Sequence, residues 1–151
     1  HNKLYLKLYG YGIRGKLLKW IKTFLSNRTQ IVKVNNHFSD SVSMVSGVPQ
    51  GTVLGPVLFL IYINDVSNIF SPGISVKMFA DDIKLYIEIK YNSDKNRLQG
   101  NLVKLEHWSA VWQLTISVKK CNIIELGNIS NKHNYLLCGN VIGYCDVVRD
   151  L

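Results

Sequence analysis

The chain has 151 residues, 47% of them apolar, which excludes an intrinsically disordered chain and allows one domain with a core. Its net charge of +8 is uneven: His1 to Phe38 holds eight Lys or Arg and no Asp or Glu, while Ser39 onward holds ten of each. From three cysteines without a C-x-x-C spacing no zinc site or disulfide framework follows, and a reducing compartment fits best.

In chain order, "RGKLLKWIKTFLSN" sets Leu17, Leu18, Ile21, Phe24 and Leu25 at helical spacing. It predicts an amphipathic helix ending near Ser26 and Asn27, with Lys16, Lys19 and Lys22 mostly off the apolar stripe. "RTQIVKVNNHFSDSVSMV" predicts two strands around Asn35-Asn36. "SGVPQGTVLGP" is a loop, with three Gly and two Pro in eleven residues. The apolar run from Val57 to about Phe70 predicts a buried helix, too short to span a membrane. After Ser71-Pro72-Gly73 come a strand from about Ile74 to Ala80, two adjacent carboxylates, and a strand from Ile83 to Ile89. A helix follows, with an N-cap expected at Ser93 and an apolar face of Leu98, Leu102, Leu105 and Trp112. "KKCNIIELG" predicts a strand, and "YLLCGNVI" a hairpin turning at Gly139-Asn140. Nothing at the N-terminus resembles a signal peptide. With no repeat or linker, 1–151 reads as one α+β unit. It starts without Met and ends in strand-like sequence, so it reads as a piece of something longer.

Two features carry chemistry. Asp81 and Asp82 sit between apolar, β-prone stretches, where like charges repel and Asp is disfavoured. A tight turn at Asp81-Asp82 would let both leave the pleat at one end of the sheet. A divalent cation would neutralise them, and Mg²⁺ suits one or two carboxylates completed by water and phosphate oxygens. An ordinary surface turn, where Asp is common, is the alternative. The second feature is the Gly/Pro loop, which ends where a buried helix begins. Helix N-termini present amide donors to phosphates. Gly47, Gly51 and Gly55 permit close backbone approach, and Gln50 supplies a donor and an acceptor. A plain connecting loop is the alternative. The basic N-terminal flank has the same pair of readings, a polyanion contact or a solubilising helix face. On the first, salt-sensitive and sequence-indifferent nucleic-acid binding is expected of the first forty residues.

"SGVPQGTVLGPVLFLIYIND" followed by "KMFADDIKLY" resembles the reverse transcriptases of non-LTR (LINE-type, jockey-like) retrotransposons. The first resembles the polymerase B motif, and "FADD" the C motif, with Phe79 at its usual aromatic position. The likeness continues upstream through "RTQIVKVNN" and downstream from "NLVKLEHWSAVWQLTISVKKCNIIELG" to "YLLCGNVIGYCDVVRDL". It implies part of a right-hand polymerase palm, an antiparallel sheet with helices packed on one face. It implies RNA-directed DNA synthesis with an RNA template, a DNA primer and deoxynucleoside triphosphates. Two Mg²⁺ ions would serve the complete enzyme, with Asp81 and Asp82 as catalytic metal ligands. Pro49, Gln50, Gly51 and Phe79 would border the nucleotide and template, and Lys120 would be the lysine near the triphosphate. Lys120 has a bland alternative, a solvated strand end. Action in the nucleus and no membrane are implied too. The family's preceding A motif, with a further metal-binding Asp, is not found in this chain, and Asp40 and Asp65 do not replace it. The family often has Asn where this chain has Ser117. A catalytically dead relic that at most binds nucleic acid or a protein is the alternative.

Overall fold

The computed structural model describes residues 1–127 and 132–147, which divide into two compact units, His1–Asp65 and Val66–Leu151. The end of the expected tail, 148–151, lies outside the described residues.

In the first unit, α1 (Asn2–Gly10) and α2 (Gly15–Leu25) precede a β-arm. The core gathers Leu4, Leu8, Ile21, Leu25 and Leu58, the last from α3 (Leu54–Ile63). No element was expected over Asn2–Gly10. Leu4, Lys7 and Leu8, at i, i+3 and i+4, are its buried residues. On α2 the buried stripe is narrower than expected: Ile21 and Leu25 are buried, Leu18 and Phe24 half-buried, and Leu17 exposed. The β-arm pairs β1 (Thr29–Gln30) with β4 (Val42–Ser43), and β2 (Lys33–Val34) with β3 (His37–Phe38). Its turn is Asn35-Asn36, as expected, with Asn35 at φ +53°, a conformation Asn tolerates. A 3₁₀ segment, Asn64–Ile69, follows α3 where the expected helix ran on to Phe70.

In the second unit, β5 (Ser75–Phe79) and β6 (Asp82–Tyr86) form a hairpin, followed by α4 (Asn92–Trp112). The start of α4 is fixed by Asp94 rather than Ser93. Asp94 Oδ2 accepts from the Lys90 and Tyr91 amides, both at 2.9 Å, and these bonds hold its carboxyl below the usual range. Buried residues on α4 are Asn101, Leu102, Leu105, Trp108 and Ser109. Asn101 accepts from the Ser71 amide at 2.8 Å and donates to the Arg97 carbonyl at 2.7 Å. Beyond α4, β7 (Asn122–Ile123) pairs in parallel with β10 (Gly143–Tyr144). β8 (Leu136–Leu137) and β9 (Asn140–Val141) form the last hairpin, turning at Cys138-Gly139 and so one residue earlier than expected. The α+β class stands. The described strands form five two-stranded pairings, one of them parallel, rather than one continuous antiparallel sheet.

Leu102, Tyr135, Leu137 and Ile142 are the buried heart of this unit. Burial pushes the Tyr135 hydroxyl up to about 12, with help from Tyr144 and Glu125. A folded-state value raised above the unfolded one gives stability that is complete below pH ~10 and lost as pH rises towards ~12. Over two pH units that loss is about 2 kcal/mol, and Tyr135→Phe should remove it. Urea unfolding at neutral and strongly alkaline pH checks this: equal alkaline losses in the two proteins would contradict it.

Candidate functional site

The hairpin's cross-strand partners settle which residues share a face. Val76 opposes Leu85 and Met78 opposes Ile83, all half-buried. The other face carries Ser75 and Tyr86, Lys77 and Lys84, and Phe79 and Asp82. Because Phe79 pairs with Asp82, the turn is Ala80-Asp81, one residue earlier than expected. Ala80 has φ +50°, in the region where the first central residue of a tight two-residue turn must lie. Asp81 therefore projects from the turn, while Asp82 begins the second strand. Phe79 is 71% exposed, and both carboxylates are exposed beside it. Lys77 and Lys84 are direct cross-strand neighbours, an arrangement that favours negative charge nearby.

The Gly/Pro loop lies in the first unit. Gly47 and Gly51 both have φ +75°, which L side chains rarely adopt. Pro49 is buried, and Gln50 and Gly51 are exposed at the turn before α3. Thr52 Oγ1 donates to the Pro49 carbonyl at 2.8 Å and accepts from the Gly55 amide at 3.1 Å. Pro56 has no amide to give. The first turn of α3 is thus partly self-satisfied, and it offers fewer open donors than a bare helix terminus. Gly55 is needed for close approach: a Cβ there would lie 2.6 Å from the Pro49 carbonyl oxygen. Gly55→Ala should push Pro49 away and destabilise this unit by about 1–3 kcal/mol, measured by urea unfolding. An unchanged midpoint would mean the loop yields freely.

Lys120 is exposed at the end of a 3₁₀ turn, Val118–Lys120, and not inside a strand. The strand after it, β7, pairs with β10 and not with the carboxylate hairpin. In the second unit, Phe79, Asp81 and Asp82 thus share the hairpin tip, and Lys120 ends the 3₁₀ turn ahead of another ladder. Pro49, Gln50 and Gly51 stay together ahead of α3.

Sequence reasoning missed Lys7. It counted among the eight basic residues available to a polyanion, but it is buried, 5% exposed. Its ammonium donates to the Tyr62 carbonyl and to Asp65 Oδ1, the latter at 2.5 Å. Arg14, Lys16, Lys19, Lys22 and Lys33 are the exposed members of the set. The signal for Lys7 was its place between Leu4 and Leu8 on the inner face of α1.

Among the described residues, no group of three or more His, Cys, Asp or Glu could hold a metal ion. No described helix is long and apolar enough to cross a membrane.

A family model described as "Reverse transcriptase (RNA-dependent DNA polymerase)" matches residues 1–138. The chain is 29% identical over 115 residues to the RNA-directed DNA polymerase from mobile element jockey of Drosophila melanogaster, covering 72% of this chain and 13% of that protein. It is 34% identical over 107 residues to the probable RNA-directed DNA polymerase from transposon BS of the same species, covering 66% and 12%. The probable RNA-directed DNA polymerase from transposon X-element of that species is 28% identical over 109 residues, covering 68% and 12%. The chain thus spans about an eighth of the length of these curated relatives. No solved structure matches it significantly.

Proposed function

The chain belongs to the reverse transcriptase (RNA-dependent DNA polymerase) family, and from that premise we propose that the protein carrying it extends a DNA primer along an RNA template. The observation that carries this reading is the hairpin tip. Two adjacent, exposed carboxylates, Asp81 on a two-residue turn and Asp82 opening the strand after it, stand beside an exposed aromatic ring, in the segment "FADD".

The donor set there fits a hard divalent ion. Mg²⁺ takes one or two protein carboxylates and fills its shell with water and phosphate oxygens, so Asp81 and Asp82 suffice as this segment's share. Held by Asp81 and Asp82, such ions would supply Lewis acidity for attack by a 3′-hydroxyl and departure of pyrophosphate. The chain's own residues bind and position. Phe79 offers a ring face at the edge of the site. Lys77 and Lys84, on the face of Asp82, draw phosphate towards it. Pro49, Gln50 and Gly51 border the nucleotide and template, with Gly51 admitting the ligand close to the backbone. Lys120 donates a proton to the departing pyrophosphate. Right-hand palm geometry belongs to this reading, as does action in the nucleus.

The test is primer extension by the protein that carries this segment, supplied with RNA template, DNA primer and deoxynucleoside triphosphates. Magnesium-dependent synthesis is expected. No incorporation with any divalent ion would overturn the reading.

A further inference from the structure

Residues four apart on a helix lie one above another. Lys16, Trp20, Phe24 and Arg28 form such a row along α2 and just past its end. The Trp20 and Phe24 rings are stacked, with centroids 6.0 Å apart and planes 22° from parallel. Arg28 closes the row. Its guanidinium carbon lies 4.5 Å from the Phe24 ring centroid. Its Nε donates to the Phe24 carbonyl at 2.6 Å, satisfying a backbone acceptor of the last turn. The row is therefore anchored at its C-terminal end and open at the other, where Trp20 is 55% exposed. Lys16 and Lys19 are exposed beside it, and no carboxylate occurs before Asp40.

A single exposed aromatic residue needs no explanation. A tryptophan already stacked on a second ring, and rimmed by lysines, is prepared for a flat, anionic ligand. We propose that this row is a stacking site for single-stranded nucleic acid. One base lies on the open face of Trp20, while Lys16 and Lys19 meet the adjoining phosphates. A duplex fits poorly, because its bases are stacked on one another and only an unstacked base can lie on a side chain. A membrane surface fits poorly as well. The inner residues Ile21 and Leu25 are buried in the protein's own core, so that on α2 only Leu17 and Trp20 are exposed large apolar side chains, too few for an amphipathic helix to lie in a bilayer. Because the stack is already formed, little side-chain freedom is lost on binding. The inference rests on the polymerase reading only for the kind of ligand, and it uses none of the residues assigned to catalysis.

Fluorescence anisotropy on the 151-residue chain tests it, with a labelled mixed-sequence single strand and the matching duplex. Trp20→Ala should weaken single-strand binding at least about five-fold, and Trp20→Tyr should keep most of it. Duplex binding should change by less than about two-fold, since it rests on phosphate contacts. Lys16→Gln with Lys19→Gln should reduce the slope of log affinity against log salt by about 1.4. Equal losses for single strand and duplex, or no loss with Trp20→Ala, would overturn the proposal. So would tighter binding to anionic phospholipid vesicles than to the single strand. Should Trp20→Ala lose its helical circular dichroism, the double lysine variant decides, and an unchanged salt slope then counts against the site. Absent primer extension with intact stacking defeats the polymerase reading alone, and the reverse result defeats the stacking site alone.

Discussion

On the proposed reading, Asp81→Asn should lower nucleotide incorporation by the protein that carries this segment at least about a thousand-fold and leave its stability unchanged. A thousand-fold corresponds to about 4 kcal/mol of transition-state stabilisation. That is the scale expected when a fixed negative charge is taken from a metal-holding position. The fold should not notice the change. Asp81 is exposed, occupies the second position of the turn and makes no cross-strand pair. Asn is nearly the same size, and it is as common in turns as Asp. Asp82→Asn should cost less. Asp82 is a ladder residue opposite Phe79 and stands back from the turn that presents Asp81. Single-turnover primer extension measures both effects, with urea midpoints as the control. Incorporation by Asp81→Asn within about ten-fold of the parent would show that Asp81 holds no ion that matters to chemistry.

The local pattern identified the elements better than their registers. For the carboxylate hairpin, alternation fixes which residues share a face. A turn at 80–81 pairs Met78 with Ile83, and a turn at 81–82 would pair Met78 with Leu85. Both registers are apolar against apolar, because a two-residue shift preserves the faces. Alternation alone cannot choose between them; in the structure Leu85 opposes Val76 and packs against the Leu102, Tyr135, Leu137 and Ile142 cluster. The last hairpin behaves the same way. Gly and Asn made 139–140 the natural turn, yet Cys138 takes φ +49° and Gly139 φ +72°. Side chains of α4 hold that register. Gln99 donates to the Leu136 carbonyl at 3.0 Å and accepts from its amide at 2.8 Å, and Glu106 accepts from the Cys138 amide. No window of local sequence contains those contacts. The Gly/Pro loop was legible because its demands are local: Gly47 and Gly51 adopt φ values that only glycine takes easily. Lys7 was not, because a charge count treats every lysine as solvated.

Asp65→Ala should destabilise the first unit by about 2–3 kcal/mol, and Lys7→Met by less than about 1 kcal/mol. The asymmetry follows from where each partner sits. The Lys7 side chain is 3% exposed and that of Asp65 31%. Burial pulls the Lys7 ammonium below its ordinary value, against the opposing pull of Asp65. Desolvation is therefore the larger effect, and the carboxylate only offsets it. Removing Asp65 leaves a charge in the core, with the Tyr62 carbonyl and the Tyr62 ring, 4.8 Å from Nζ, as its neighbours. Removing the lysine leaves a carboxylate that water can reach, and Met refills the channel with an unbranched chain of similar length. The pH dependence has a definite sign. With the folded value lowered, the unfolded chain binds more protons between that value and 10.5, so this group makes stability rise with pH there. In Asp65→Ala the folded value falls further and the rise begins at lower pH. Urea midpoints of the parent, both single variants and the double variant, taken at neutral and alkaline pH, close the cycle. A larger loss with Lys7→Met than with Asp65→Ala would mean that the ion pair, rather than the burial of its lysine, dominates the energetics where α1 meets the end of α3.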